Sequence, residues 1–565
     1  MRKYKDNIIT LLLSIIGFAY VVYYIFRAST NVVTSDYMRI VNSYLYDVSD
    51  LKYLKSMESI SRIPFTFLAR FINVKLFSYN VFFDKILGAC GLLIFNFVTV
   101  KYILKTIDTS FVKIIASIVV TFISFSLMSW EMILNGTGYA HFLTMGLIAI
   151  TYYLFDVFIN YTCKKTCMGD QHRKGELCEP ETVGASTASP RKNFGITLII
   201  LTIITSLCFA GSYAVSYDCT LILFSLLAIV IIVKSLELFS RDKIELTISN
   251  EVDEVNIDLS VKKKLNDSSK KSLCIYIIII IVSVICISLY MISNNTGEPL
   301  IPVGFQDISL FELLKTNPSF PIRFILKSLA SSIIGVETFD YAINFGTITE
   351  KVIYLFGIIY LLIILWTIFV VIVGAKHRDP EIVGASTASP KAVGAKHRDP
   401  EIVGASYASP TVFPFMYVIY GFMNYALVFL ARYKFVRDEY GMTSRYALQY
   451  MFLSIGIVIL LSMFMDKVFV DKKFTTKNII ICLVSVACIF VLYFGNVVTS
   501  CDEIYKADYR KIIYTNLVDI AKNSENYTDE ELENFFEYHR DPEHIRNTFR
   551  ILKEQKLNVW ASPKP

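Results

Sequence analysis

Eleven runs of apolar residues, each about long enough to cross the hydrocarbon core of a bilayer, constrain this chain more than any other feature. They fall near 8–26, 81–103, 111–128, 140–160, 194–213, 217–234, 273–293, 351–373, 412–431, 447–465 and 478–497. Where no water can satisfy a backbone, such a run must be helical. The expected fold is therefore all-α, a polytopic transmembrane helix bundle of about 11 spans. Composition agrees, since 54% of the 565 residues are hydrophobic and only 18% are charged, against about 25% in a soluble domain. An aromatic share of 14% suits lipid-facing and interfacial positions.

Charge sets the expected orientation. Arg2, Lys3 and Lys5 precede the first run, which places the N-terminus in the cytoplasm and sends the segment outward. Lys101, Lys105 and Lys113 mark one inner loop, Lys262, Lys263, Lys264, Lys270 and Lys271 another, and Lys467, Lys472, Lys473 and Lys477 a third. The short connections 129–139 and 214–216 carry no Lys or Arg and read as outer. An odd number of spans puts the C-terminus outside. The net charge of +6 is thus a topology signal and no argument for nucleic acid. Cysteines such as Cys90, Cys286 and Cys488 lie inside apolar runs and act as small hydrophobes, which argues against a disulfide framework. The first run lacks an obvious cleavage site and reads as a retained helix.

The outer loops hold the candidate chemistry. Thr34-Ser35-Asp36-Tyr37-Met38-Arg39 lies just beyond the first span, and a carboxylate three residues from a guanidinium shares one face of a helix. Asp36 is a candidate base and Arg39 a candidate phosphate clamp; the alternative is a solvated surface pair. Residues 36–57 read as a surface helix with Tyr37, Ile40, Val41, Tyr44 and Leu45 in one apolar stripe, followed by an amphipathic piece over 65–71. In a loop of about 27–80, pinned at both ends, such stripes suggest helices in the headgroup layer. A second outer loop, about 294–350, carries an interfacial helix over 322–334 with Arg323 and Lys327. A third, Arg432 to Tyr446, concentrates Arg432, Lys434, Arg437 and Arg445 with Asp438 and Glu439. That density of cations opposes the usual charge bias on an outer face, and an anionic partner such as a lipid pyrophosphate explains it.

Other candidates are weaker. Glu131, in the turn Glu131 to His141 with Gly136 and Gly138, can bind or close over a sugar, or it is a solvated acid in a tight re-entrant turn. His141 is either part of that site or an interfacial hydrogen-bonded residue. Asp218 sits at a helix start, where a carboxylate complements the helix dipole. Asp84 and Lys85 open the second span and can pair with each other. Cys163, Cys167, His172 and Cys178 fit no common zinc spacing. There is no Walker loop, dinucleotide fingerprint or Ser-His-Asp pattern, so an enzyme of this kind needs an activated substrate already in the membrane.

One segment stands apart. Residues 373–390 recur at 393–410 with a single change, Thr387 against Tyr407, and 183–190 repeat part of it. Two or three copies cannot bury a core, so these read as insertions into cytoplasmic loops. The span region is expected over 1–500, with loops at 161–193 and 374–410 carrying the insertions. A small helical extracytoplasmic tail follows over 501–565, with a capping box at Thr528-Asp529-Glu530-Glu531 and a helix opening at Pro542.

Ser35-Asp36-Tyr37-Met38-Arg39, Ser444-Arg445-Tyr446, Asp541-Pro-Glu-His-Ile-Arg546 and Leu557-Asn-Val-Trp560, on this architecture, resemble GT-C-type integral membrane glycosyltransferases of bacterial surface-glycan modification. The resemblance implies a polyprenyl-phosphate-linked sugar donor, a glycan or lipid-linked acceptor, and action at the extracytoplasmic face of the plasma membrane beside proteins that make and flip the donor. It implies Asp36 as catalytic residue. Arg39, Glu131, His141, Arg432, Arg437, Asp438 and Arg445 are the expected substrate-binding set. Many members carry paired acids where this chain has Ser35 before Asp36, and no cofactor or metal is indicated. A lipid-linked glycan polymerase and a non-enzymatic flippase or exporter of lipid-linked sugars remain the alternatives.

Overall fold

A computed structural model describes residues 2–45, 64–171, 281, 306–344, 349–376, 412–472, 474–538 and 542–561. Every element among them is helical: α1 Arg2–Ala28, α2 Asp36–Tyr44, α3 Pro64–Phe77, α4 Val81–Thr106, α5 Ser110–Ser124, α6 Trp130–Leu134, α7 Tyr139–Gln171 and α8 Leu310–Thr316. They continue with α9 Phe320–Ala330, α10 Val336–Asn344, α11 Lys351–Lys376, α12 Phe413–Arg432, α13 Ser444–Val470, α14 Thr476–Lys522, α15 Asp529–Phe536 and α16 Pro542–Glu554. Among the described residues, eight stretches are long and apolar enough to span a membrane, the architecture of a membrane-embedded protein. Each coincides with an apolar run of the sequence; the runs at 194–213, 217–234 and 273–293, the repeats beyond Lys376, Asp218 and the side chains of Cys163, Cys167, His172 and Cys178 lie outside the described residues.

The helices pack by close backbone approach and a mostly apolar core. A Cβ on Gly91 of α4 would lie 2.3 Å from the Phe142 carbonyl of α7, so only glycine lets these two helices touch so closely. In the second turn of α12, Tyr417 stacks on Phe95 at 5.7 Å, packs at a tilt against Phe413 at 4.5 Å and shares a 2.9 Å hydrogen bond with Thr99. Polar side chains bind the spans laterally: Ser14 donates to Asn96 at 2.9 Å, and Asn96 donates to Thr121 at 3.2 Å. The aspartates buried at the end away from Asp36 serve as caps. Asp156 accepts from the Val412 and Phe413 amides, and Asp466 from the Asp108 and Thr109 amides, satisfying helix N-termini that the bilayer would leave bare.

Two expectations change. The apolar stripe of α2 does not lie against a headgroup layer. Tyr37, Met38, Val41 and Leu45 are buried against Phe536, Ile545, Phe549 and Leu552 of the tail, which offers a larger and drier surface than the interface does. The last span also passes residue 501 without a break: α14 runs 47 residues, about 70 Å at 1.5 Å per residue. Its polar half projects as a rod on which the tail folds. There the capping box at Thr528 and Glu531 forms as expected, and Arg546 bonds Asp529 at 2.8 Å.

Candidate functional site at the Asp36 end of the bundle

Ser35 sits at φ 50°, ψ −121°, a conformation that costs a non-glycine residue energy. Its amide donates to the Phe536 carbonyl at 2.8 Å, so the tail holds the kink. The kink starts α2 and leaves Asp36 half-buried in its first turn. The next residue is fixed from below. The Tyr37 hydroxyl donates to Asp84 Oδ2 at 2.7 Å, and its oxygen would lie 2.0 Å from a Cβ on Gly136, which is why that turn needs glycine. Arg70 donates to the same Asp84 oxygen and lies 5.0 to 5.9 Å from the ring centroids of Tyr37, Tyr139 and Tyr79. Burial, then the Asp84 charge, raises the Tyr37 phenol well above its ordinary value, so it remains a donor. Asp84 therefore does not pair with Lys85. Neighbours on a helix point about 100° apart, and Lys85 turns instead toward Phe82 and Tyr514, 5.3 Å from each ring.

Around Asp36 runs a belt of charge. Glu131 accepts from Ser444 Oγ at 2.9 Å and pairs with Arg445, which is half-exposed and within electrostatic reach of Asp36. Next to Glu131, the Trp130 ring carries the Arg510 guanidinium 3.3 Å from its centroid. Arg510 donates twice to Glu503 at 3.0 Å and stands 3.9 Å from Glu337, while Tyr24 donates to Glu503 at 3.2 Å. Lys506 pairs with Asp502 at 2.7 Å, a contact Thr338 joins at 2.8 Å. Burial raises Glu337 and Asp340 above the ordinary carboxylate value, opposed by Arg510 and Lys506 at the first and by Lys506 at the second.

The belt ends at a groove lined by Phe320, Arg323, Val336, Arg437, Asp438 and Tyr440. Lys327, only 2% exposed, lies among Asp438 at 2.7 Å, Glu350 at 2.8 Å and Glu439 at 3.3 Å. Arg323 donates to Asp438 at 2.7 Å. Burial pushes the Asp438 carboxyl upward, but the Lys327 and Arg323 hydrogen bonds outweigh it and hold the group below its ordinary value.

The predicted residues separate accordingly. Asp36, Glu131 and Arg445 come together. Arg437 is exposed in the groove with Asp438, whose oxygens are taken by Arg323 and Lys327. Arg432 donates to the Tyr446 hydroxyl and stacks over Phe435. Arg39 is buried. His141 is half-buried in the first turn of α7 and makes no hydrogen bond to Asp36 or Glu131. Among the described residues no group of three or more His, Cys, Asp or Glu could hold a metal ion.

Arg70, Trp130, Glu337, Glu503 and Arg510 were not among the sequence candidates. The signal for two of them was present: Glu503, Lys506 and Arg510 recur at helical spacing directly after an apolar run, which marks one continuous helix with a charged face. No family model matches the chain, and neither the curated proteins nor the solved structures contain a match.

Proposed function

We propose that the chain is an integral membrane glycosyltransferase that moves a sugar from a polyprenyl-phosphate-linked donor to a surface-glycan or lipid-linked acceptor at the extracytoplasmic face. One observation carries this reading: Asp36 stands half-buried on a strained, doubly braced helix start, beside Glu131 and Arg445 at the head of a charged belt confined to one end of the bundle. The acceptor oxygen attacks the anomeric carbon, and its proton passes to Asp36. The bond from that carbon to the phosphate oxygen breaks, and the electron pair leaves with the polyprenyl phosphate. Arg445, held by Glu131 at the bundle rim, receives that growing charge.

A flippase or exporter of lipid-linked sugars needs a polar path through the spans. Among the described residues, tyrosines and phenylalanines pack against one another between the spans, which favours chemistry at one face. Mass analysis of surface glycan from cells with and without the gene tests the proposal. Loss of one glycosyl increment per repeat is expected from a transferase. Shortened glycan of unchanged repeat mass points to a polymerase, and unchanged glycan removes the enzymatic reading.

A further inference from the structure

At the end of the bundle away from Asp36, α5, α13 and the start of α14 leave a cleft of about 390 Å³. Phe111, Ile115, Met465, Phe469, Phe474 and Leu483 line it, and Ser462 and Cys482 are the least apolar side chains on its wall. Along α14 it extends from Ile479 to Ile489, about 15 Å at 1.5 Å per residue. A long, narrow, apolar cleft of this kind suits an aliphatic chain and offers nothing to a polar ligand.

Its mouth has the opposite character. The turn between α13 and α14 carries exposed Lys472 and Lys477 against one exposed acid, Asp471. Lys113 lies on the α5 side, 3.6 Å from Asp6. α14 begins here with Thr475 as its cap, which accepts from the Asn478 amide and leaves the amides of Thr476 and Lys477 facing out at the positive end of a 47-residue helix. Cations, free amides and a helix dipole at the lip of an apolar cleft together match a phosphate carrying a hydrocarbon tail.

We propose that this cleft seats one acyl chain of an anionic phospholipid, with the phosphate at Lys472, Lys477 and the first amides of α14. The site is remote from Asp36 and stands independently of the transferase reading. The test is native mass spectrometry of the full-length protein in detergent with phosphatidylglycerol and phosphatidylcholine of identical chains added in equal amounts. Phosphatidylglycerol should be retained roughly tenfold or more over phosphatidylcholine, the scale expected for two basic residues at a charged headgroup. The double variant Lys472→Gln, Lys477→Gln should bring the two lipids near parity. Leu483→Trp, at a position 65% exposed and so tolerant of a larger side chain, should block the cleft and release both. Equal retention of the two lipids by the unmodified protein would overturn the proposal, as would undiminished phosphatidylglycerol on Leu483→Trp. Displacement by an equal amount of polyprenyl phosphate would also overturn it, because the cleft would then belong to the donor chain.

Discussion

Tyr37 follows Asp36 about 100° further round α2, and its bond to Asp84 fixes the helix turn that carries the acid. Removing the Tyr37 hydroxyl takes one hydrogen-bond donor from the buried Asp84 carboxylate, which keeps Arg70. Tyr37→Phe should therefore cost about 1–2 kcal/mol of stability, read as a lower midpoint of thermal unfolding. Gly136→Ala drives a methyl into the same hydroxyl and should cost about 1–3 kcal/mol. Asp438 gives the pH-dependent case. Its folded value is depressed, so its stabilising pairs with Lys327 and Arg323 are fully present above the ordinary carboxylate value and are lost only as pH falls through the lower, folded value. Neutral-pH melting of Asp438→Asn should fall by about 1–3 kcal/mol, and the gap to the unmodified protein should close on strong acidification. These pairings were not legible in the sequence. Arg70 with Asp84 and Glu131 with Arg445 join residues 14 and 314 positions apart, and local spacing says nothing about such partners.

At the scale of elements, α2 was readable as a helix because its stripe recurs with helical period, but the surface it buries was not. That surface is built by α15 and α16, some 500 residues further on, so the pattern alone could equally mean a lipid interface. The consequence is testable. Phe549 packs 5.0 Å from Phe536 at the centre of the contact, and Phe549→Ala should cost about 3–5 kcal/mol locally. Limited proteolysis should then open the tail while the spans stay protected. Because the Phe536 carbonyl also holds the Ser35 kink, the same variant should lose transfer activity without losing the bundle. Intact activity with a proteolysed tail would show that α2 keeps its pose unaided. The spans themselves were legible from apolar length, a signal that needs no partner.

At the scale of the molecule, several ionisable side chains among the described residues divide by place. At one end they cap helices, and at the other they form a belt that includes Asp36, Glu131, Arg445 and Arg510, with aromatic packing between. The rod of α14 crosses that arrangement and carries Glu503 and Arg510 into it, although a boundary drawn where the apolar run stops assigns them to a separate tail. The account rests on Asp36 as the group that takes the acceptor proton. The direct measurement is the mass of surface glycan from cells producing Asp36→Asn, with the protein's melting point followed in parallel. Loss of the glycosyl increment with an unchanged melting point is the predicted result; a full increment from a folded Asp36→Asn protein would contradict it.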